Sequence, residues 1–529
     1  MDARELLIDA ADKYGRKTAY IYQDKEYDFQ SLRDNSFRLA NSLLDLGFRK
    51  NDRIAIYLPN CIEYIYSYFA LYSLGCIVVP IDFAPAKLLK KELKLDPCIV
   101  VPIDFALSLN EIISISNHCG LKGIITTADV KFSLFELKSR ISSLKEIITI
   151  EDDSRYISFW GLVENGKNDL ADQEIDPQMI SSIFYTSGTM GKPKGALWNY
   201  EHIHLGAEQL KYFTTYDYLK TILRIDESER TIAAVPLSHS AGILFVMTTV
   251  KYGMSHVIMP RFSPLDFIRM VDKWKVTGVF MVPPMYYAIL YLKEVESYSL
   301  ESLRWADVFG APSSYDLMMR FQKLCPNAVI LNGWGMTEVI PPISASSPDN
   351  IRSVGKPVPN VELKIFDSKG NEMPQGEIGE LVARGKSVFC GYYNEPELNM
   401  EAFKNGWFYT GDLGRFDEHG NLYIIGKSKD TIKVGGELVW AAEIEEVLLK
   451  HPCIKEAAAV GVPDELRGEV VKCFIVLKEG IVLPKKYVME YLREQLSRFK
   501  LPRHIEYLEE LPKTGSGKIN KAALINHHE

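Results

Sequence analysis

Short, continuous apolar runs recur between longer amphipathic stretches over the first four-fifths of the 529-residue chain. Arg53-Ile-Ala-Ile-Tyr-Leu58, Gly123-Ile-Ile-Thr-Thr127, Thr231-Ile-Ala-Ala-Val235, His256-Val-Ile-Met259 and Gly278-Val-Phe-Met-Val282 are examples. Runs this apolar suit strands covered on both faces, and the amphipathic stretches supply the covering helices. The alternation predicts α/β layers. Near residue 350 the pattern shifts. Gly355, Pro357, Pro359, Gly370, Pro374, Gly376, Gly379 and Gly385 punctuate short alternating runs such as Val361-Glu-Leu-Lys-Ile365, which predicts antiparallel hairpins. Past residue 426 the pattern becomes that of a compact α+β unit of about a hundred residues. The expected domains are therefore 1–426 and 427–529.

At about 150 residues per domain, the length allows three or so structural units. Lys+Arg is 61 and Asp+Glu is 69, a net charge of −8. An acidic balance argues against nucleic acid as a partner, which normally meets a basic domain. The eight cysteines are scattered without a CxxC pair, so they read as reduced, buried thiols of a cytoplasmic protein. The N-terminus lacks the basic and apolar regions of a signal peptide, and Leu6, Leu7, Ala10, Ala11 and Tyr14 fall at helical spacing. Tyr64–Ile81 and Thr231–Val250 are uncharged but interrupted, the first by Gly75 and Pro80, the second by Pro236, Ser238, His239 and Ser240. Neither suits a membrane span.

Cys76-Ile-Val-Val-Pro-Ile-Asp-Phe-Ala84 recurs letter for letter as Cys98-Ile-Val-Val-Pro-Ile-Asp-Phe-Ala106. A solenoid repeat is degenerate and occurs at least three times, so a local tandem duplication is the better reading. It makes 76–97 an insertion, and Pro85–Leu95 within it reads as helical.

Five motifs carry chemistry. Tyr185-Thr-Ser-Gly-Thr-Met-Gly-Lys-Pro-Lys-Gly195 follows an apolar run and offers backbone N–H groups, hydroxyls and lysines to a phosphate chain. It is not a Walker A loop, because its Gly-x-x-Gly-Lys is too short and Pro193 follows Lys192. Asn332-Gly-Trp-Gly-Met-Thr-Glu338 sets a hydroxyl beside a carboxylate, suited to a phosphate oxygen and Mg2+. Trp407-Phe-Tyr-Thr-Gly-Asp-Leu413 reads as a tight Gly turn presenting Asp412 to a ribose diol. Gly426-Lys-Ser-Lys-Asp-Thr-Ile-Lys-Val-Gly-Gly436 marks the change of domain, and Pro512-Lys-Thr-Gly-Ser-Gly-Lys518 holds a lysine on a flexible arm.

In this order and at these separations the motifs resemble the adenylate-forming superfamily of acyl-CoA synthetases, peptide-synthetase adenylation domains and luciferases. The resemblance runs from Asp52-Arg-Ile-Ala-Ile-Tyr-Leu-Pro-Asn60 to Lys518. Gly391-Tyr-Tyr-Asn-Glu-Pro-Glu397 and Gly461-Val-Pro-Asp-Glu-Leu-Arg-Gly-Glu469 look most like the acyl-CoA ligase branch. The resemblance implies α/β with α+β: an N-terminal domain of two αβαβα-type layers plus a small antiparallel β subdomain, and a small mobile C-terminal domain. The implied reaction joins a carboxylic acid to ATP as an acyl adenylate, then to the thiol of CoA, releasing AMP and pyrophosphate. Its implied cofactors are ATP, Mg2+ and CoA.

By the same resemblance Thr186, Ser187, Gly188, Thr189 and Lys194 hold the β- and γ-phosphates. Gly310, Ala311 and Pro312 line one side of the adenine, and Asn332, Gly333 and Trp334 the other. Thr337 meets the α-phosphate, Glu338 the Mg2+ and Asp412 the ribose, with Lys427 at the ribose or a phosphate. Lys518 bridges carboxylate and α-phosphate. His239, Phe309, Gly335 and Met336 border the acyl pocket, and Lys429, Lys433, Gly435 and Gly436 form the hinge and thiol side. A satisfied core histidine is the bland reading of His239. The family's usual Tyr, Arg and Gly are replaced here by Trp334, Lys427 and Phe309. The Phe predicts a shortened acyl channel, whereas the small Gly335 points to a longer one.

Two alternatives compete with the CoA ligase. One passes the adenylate to a carrier-protein phosphopantetheine thiol or accumulates it. The other is a dead nucleotide-binding protein, against which Lys518, Glu338 and Thr337 speak. The sequence decides neither the acid nor whether a homodimer forms.

Overall fold

The computed structural model describes residues 3–83, 107–130, 132–186, 193–208, 226–310, 313, 315–345, 350–434, 437–464, 467–513 and 519–526. The described residues of 3–362 with 384–406 form one compact unit, and those of 363–383 with 407–526 form another.

Two sheets build the first unit. One runs in the order Ile157–Ser158, Glu146–Thr149, Gly123–Thr126, Arg53–Tyr57, Ile77–Pro80, Ile180–Thr186, Lys194–Asn199. Its pairs are parallel except the last, where Lys194–Asn199 folds back antiparallel. The other runs Val339–Ala345, Val329–Met336, Trp305–Val308, Gly278–Met281, Arg230–Ala233, Ser255–Ile258, Thr18–Tyr22, Lys25–Asp28, parallel inside and antiparallel at both edges. The apolar runs are these strands. Ile54, Ile56, Ile124, Ile125, Val279 and Met281 are fully buried, as two covered faces require.

Local signals set the helices. Leu6, Leu7, Ala10 and Ala11 form the buried stripe of the Ala3–Tyr14 helix. Ser263 caps Pro264–Trp274 by accepting from the Asp266 N–H, with Pro264 in the first turn. Tyr64–Ile81 splits into the helix Ile62–Ser73 and the strand Ile77–Pro80. Gly75 sits between them at φ +69°, where a side chain is strained. Thr231–Val250 divides into the strand Arg230–Ala233 and the helix Ser240–Tyr252. Among the described residues no helix is long and apolar enough to cross a membrane.

The first copy of the duplicated segment supplies the Ile77–Pro80 strand, between Arg53–Tyr57 and Ile180–Thr186. The second copy and the segment read as helical lie outside the described residues. The reading of the cysteines needs correction at Cys390, which is exposed, and at Cys453, which is half-buried, while Cys61, Cys76, Cys119, Cys325 and Cys473 are buried.

The second unit holds, apart from the end residues Glu362 and Arg384, the strands Glu362–Phe366, Gly379–Arg384, Trp407–Phe416 and Leu422–Lys427 of one sheet, with antiparallel pairing from Gly379–Arg384 onward as the Gly/Pro punctuation predicts. Its other sheet orders Glu437–Trp440, Thr431–Val434, Gly468–Leu477 and Ile454–Asp464, with His504–Tyr507 beside Gly468–Leu477. Ile432, Val439, Ile444, Leu448, Val471, Ile475, Val488 and Leu492 form the core under two helices.

Candidate active site

The phosphate-loop motif lies at the mouth of a hairpin. Ile180–Thr186 and Lys194–Asn199 pair antiparallel with Thr186 opposite Lys194, so both ends of the motif meet at the sheet edge. Ser187, Gly188 and Thr189 lie outside the described residues. A side chain at Gly195 would crowd Ile183, because a Cβ there falls 2.7 Å from Ile183 Cγ2. The segment 390–393 runs alongside this hairpin: the Leu197 N–H donates to the Gly391 carbonyl at 2.9 Å and the Tyr393 N–H to the Gly195 carbonyl at 2.8 Å. This brings the ring of Tyr392 within 5.6 Å of Lys194 Nζ.

Thr337 and Glu338 form the turn between Val329–Met336 and Val339–Ala345. Both are buried. The turn is fixed from three directions. Trp198, fully buried in the hairpin, donates its indole N–H to the Thr337 carbonyl at 2.9 Å. Ser240 Oγ lies 3.2 Å from Thr337 Oγ1. Tyr392 donates its hydroxyl to Glu338 Oε1 at 2.9 Å. Burial and the adjacent carboxylate push the Tyr392 phenol far above its usual range, so it remains a donor. The motif-bearing segments 194–198, 337–338 and 390–393 are thus one constellation. Tyr392 was legible only as part of Gly391–Glu397, whose side-chain directions sequence does not give, and Trp198, three residues past the phosphate-loop motif, belonged to no motif.

His239 caps the Ser240–Tyr252 helix: its Nδ1 accepts from the Ala241 N–H at 3.3 Å, so the ring proton sits on Nε2. The residue is exposed, which removes the core-histidine reading. Polar groups of other elements clamp the loop before it. Asn60 donates to the Val235 and Met259 carbonyls at 3.0 Å each and accepts from the Leu237 N–H at 2.7 Å. Tyr68 donates to the Leu237 carbonyl at 2.7 Å, and Ser238 donates to Asp82 Oδ1 at 2.5 Å. Burial pushes the Asp82 carboxyl up to about 6, against the opposing pull of the Ser238 bond.

On the other side, Val308 pairs with Asn332, which places Gly310 and Asn332–Trp334 at the C-terminal ends of adjacent parallel strands. Ligands of open α/β sheets bind at such ends. Ser313 donates to Asn332 Oδ1 at 3.4 Å, and Asn332 Nδ2 donates to the carbonyls of Ile351 and Ser353. Ala311 and Pro312 lie outside the described residues. Gly310 is exposed at φ +79°, Trp334 is buried, and Gly335 and Met336 are half-buried in the same strand. Phe309 stacks on Phe280, their ring centres 3.4 Å apart.

In the second unit Asp412 is buried and pairs with Lys427, Nζ to Oδ1, at 2.6 Å. The expected tight turn around it is instead a bulge in the Trp407–Phe416 strand: Gly411 takes φ +71°, the register shifts opposite Leu381, and Thr410 Oγ1 accepts from the Asp412 N–H. The Lys433 N–H donates to Glu469 at 2.7 Å, and Lys429 lies in the short Ser428–Asp430 turn. Gly435, Gly436 and Lys518 lie outside the described residues.

A buried carboxylate beside a hydroxyl, at sheet ends next to a hairpin, suits an α/β enzyme whose ligand sits at the ends of its strands. Residues 7–90 and 97–393 match the AMP-binding enzyme family model, and residues 443–518 match the AMP-binding enzyme C-terminal domain. The chain belongs to the AMP-binding enzyme family, the adenylate-forming superfamily, in its acyl-CoA ligase branch. The match breaks at 91–96, between the two copies of the duplicated segment. A long-chain-fatty-acid–CoA ligase of Bacillus subtilis (strain 168) is 30% identical, covering 99% of this chain and 95% of that protein. The 4-coumarate–CoA ligase 2 of Nicotiana tabacum is also 30% identical, covering 98% and 90%. Among solved structures, an anthranilate CoA ligase in complex with anthranoyl-AMP superposes with a TM-score of 0.86 at 27% identity, covering 100% of this chain and 97% of that one.

Proposed function

We propose that this chain, an AMP-forming acid–thiol ligase, activates a compact carboxylic acid as its adenylate at the Thr337–Glu338 turn and transfers the acyl group to the thiol of free CoA. The observation that carries this reading is the joining of that turn to the hairpin mouth through Trp198 and Tyr392.

The acid is already ionised, so no side-chain base is needed. The barrier is the approach of one anion to another, and positioned donors lower it. Thr186 and Lys194 receive the terminal phosphates, and Thr337 Oγ1, set by Ser240, meets the α-phosphate. Glu338 suits Mg2+: it is a buried hard oxygen donor beside a hydroxyl, one of its oxygens fixed by Tyr392. The described residues hold no cluster of three or more metal-ligating side chains. Mg2+ keeps several waters and takes further ligands from substrate phosphates, so it needs few protein ligands. When bound, it supplies charge neutralisation on the phosphates. Asp412 and Lys427 hold the ribose, and Lys518 steadies the α-phosphate during adenylation. Turning of the C-terminal domain about Lys429 then replaces Lys518 with the Val434–Gly436 loop for thiol attack.

The names of similar proteins span fatty, cinnamic and aminobenzoic acids. Phe309, folded onto Phe280, supports a short channel here. A screen of carboxylic acids for ATP–pyrophosphate exchange, repeated with CoA and with a phosphopantetheinyl carrier protein, tests the reading. Exchange with a compact acid and thioester formation with CoA are expected. Exchange followed by transfer only to the carrier protein would replace the CoA assignment, and preference for a long fatty acid would remove the compact one.

A further inference from the structure

Asp307 is a lone charge in the apolar strand Trp305–Val308. Phe280 pairs with it on one neighbouring strand and Leu331 on the other. Cross-strand partners share a face of the sheet. On that face Phe280 stacks on Phe309 at 3.4 Å and tilts against Phe245, of the Ser240–Tyr252 helix, at 4.7 Å. Asp307 therefore lies on the sheet face that this helix covers, beside the aromatic pair that shortens the acyl channel.

Nothing in the fold accounts for a carboxylate there. Its Oδ1 is buried and has no hydrogen-bond partner among the described residues. The residue as a whole is half-buried. Burial pushes the carboxyl up to about 7, opposed only by the Val308 backbone N–H and by no cation. Its surroundings do not charge it. Tyr286, whose hydroxyl donates to the Asp307 carbonyl at 2.7 Å, and Cys325 are both kept neutral by burial. His256, on the same face and stacked with Phe245, is held neutral with its pKa near 4. Arg304 is paired with Glu229.

An apolar side chain packs such a strand position at no electrostatic cost, whereas a desolvated carboxylate costs free energy until a donor reaches it. Aromatic faces beside a carboxylate are the composition that receives an ammonium: the rings supply cation–π attraction and the acid a charge-assisted hydrogen bond. We propose that Asp307 determines specificity by binding an amine carried on the acid substrate, distal to the carboxyl group that is activated. This rests on the adenylation reading of the site. It predicts an amino-substituted acid rather than a plain hydrocarbon one.

The experiment compares matched acids differing only in a terminal amine, from butanoate and 4-aminobutanoate to octanoate and 8-aminooctanoate. Benzoate and the aminobenzoates complete the set. Pyrophosphate exchange is measured for the wild type, Asp307→Asn and Asp307→Leu. The wild type is expected to prefer at least one amino acid of the set over its unsubstituted partner by about 10- to 100-fold in kcat/KM, the scale of one hydrogen bond to a charged group. Asp307→Leu should reverse that preference while keeping exchange with the unsubstituted acid. A wild type that prefers the unsubstituted acid in every pair, or a preference unchanged in Asp307→Leu, overturns the proposal but leaves the adenylation reading standing. Thermal shift with hexylammonium chloride supplies a second readout that needs no catalysis. Stabilisation of the wild type but not of Asp307→Leu supports the site even where no acid gives exchange. Equal shifts, or none, overturn it.

Discussion

The phenolic oxygen of Tyr392 lies 2.9 Å from Oε1 of Glu338 and donates its proton to it. The Tyr392 backbone is fixed in turn by Asn399, whose Oδ1 accepts its N–H at 2.7 Å and whose Nδ2 donates to its carbonyl at 2.9 Å. A hydrogen bond to a charged group contributes about 1.5–3 kcal/mol. Tyr392→Phe is therefore expected to lower adenylation by about ten- to a hundredfold and to raise the Mg2+ concentration needed for half-maximal exchange, with Tm little changed. A titration of pyrophosphate exchange against Mg2+ checks this. An unchanged Mg2+ requirement contradicts the positioning of Glu338 by Tyr392.

The loop that leads into His239 hangs on Asn60 through three hydrogen bonds. Asn60→Ala leaves a buried N–H and two carbonyls without that partner, each at about 1–3 kcal/mol before water enters. A loss of about 3 kcal/mol in urea unfolding is expected, along with weaker catalysis. Asp82→Asn, which still accepts from Ser238, should keep most of both. Equal damage from the two variants shows that the charge of Asp82, not the clamp, matters.

Asp307 gives stability a pH dependence of calculable sign. Its carboxyl titrates near 7 in the folded chain, against an ordinary value of 3.8. The native state thus keeps a proton that the unfolded chain has lost, and stability falls as pH rises from about 4 to about 7. The full cost above that window is about 4 kcal/mol, at 1.36 kcal/mol per pH unit. Asp307→Asn should be more stable than the wild type at pH 8 by an amount of this order, and the gain should vanish near pH 4. A stability difference that does not vary with pH rules out a desolvated carboxyl.

One slot in the seven-stranded sheet, between Arg53–Tyr57 and Ile180–Thr186, is filled by Ile77–Pro80, yet the sequence holds two identical candidates for it. Deleting 76–97 joins Gly75 to Cys98 and lets the second copy enter the same place with the same side chains. A soluble enzyme with ATP-dependent activity is expected. An insoluble or inactive product, with the parent well behaved, shows that both copies are structural.

How much of this was legible in the sequence depends on the kind of signal. Strands buried on both faces announce themselves by composition, and Arg53–Tyr57, Gly123–Thr126 and Gly278–Met281 fell where their apolar runs stood. Thr337 and Glu338 were readable because adjacent polar residues after an apolar strand occupy one turn. Tyr392 and Trp198 were not, since their roles come from contacts across 54 and 139 residues of chain. Asp412 was assigned to a turn, because the Thr-Gly-Asp run that bulges a strand reads locally the same as one that ends it. Asp307 leaves a trace in the sequence, a single charge inside Trp305-Ala-Asp-Val-Phe309.

The central claim is that one chain carries out two half-reactions, adenylation and thiol transfer, with different residues. The direct measurement assays each half-reaction separately for Lys518→Ala and Gly436→Trp. Lys518→Ala should lose adenylation by several kcal/mol of transition-state stabilisation, the scale of a preorganised electrostatic group, yet still make thioester from a supplied acyl adenylate. Gly436→Trp should keep pyrophosphate exchange and lose thioester formation. If Lys518→Ala slows both steps equally with the fold intact, the two-step division of labour is wrong for this protein.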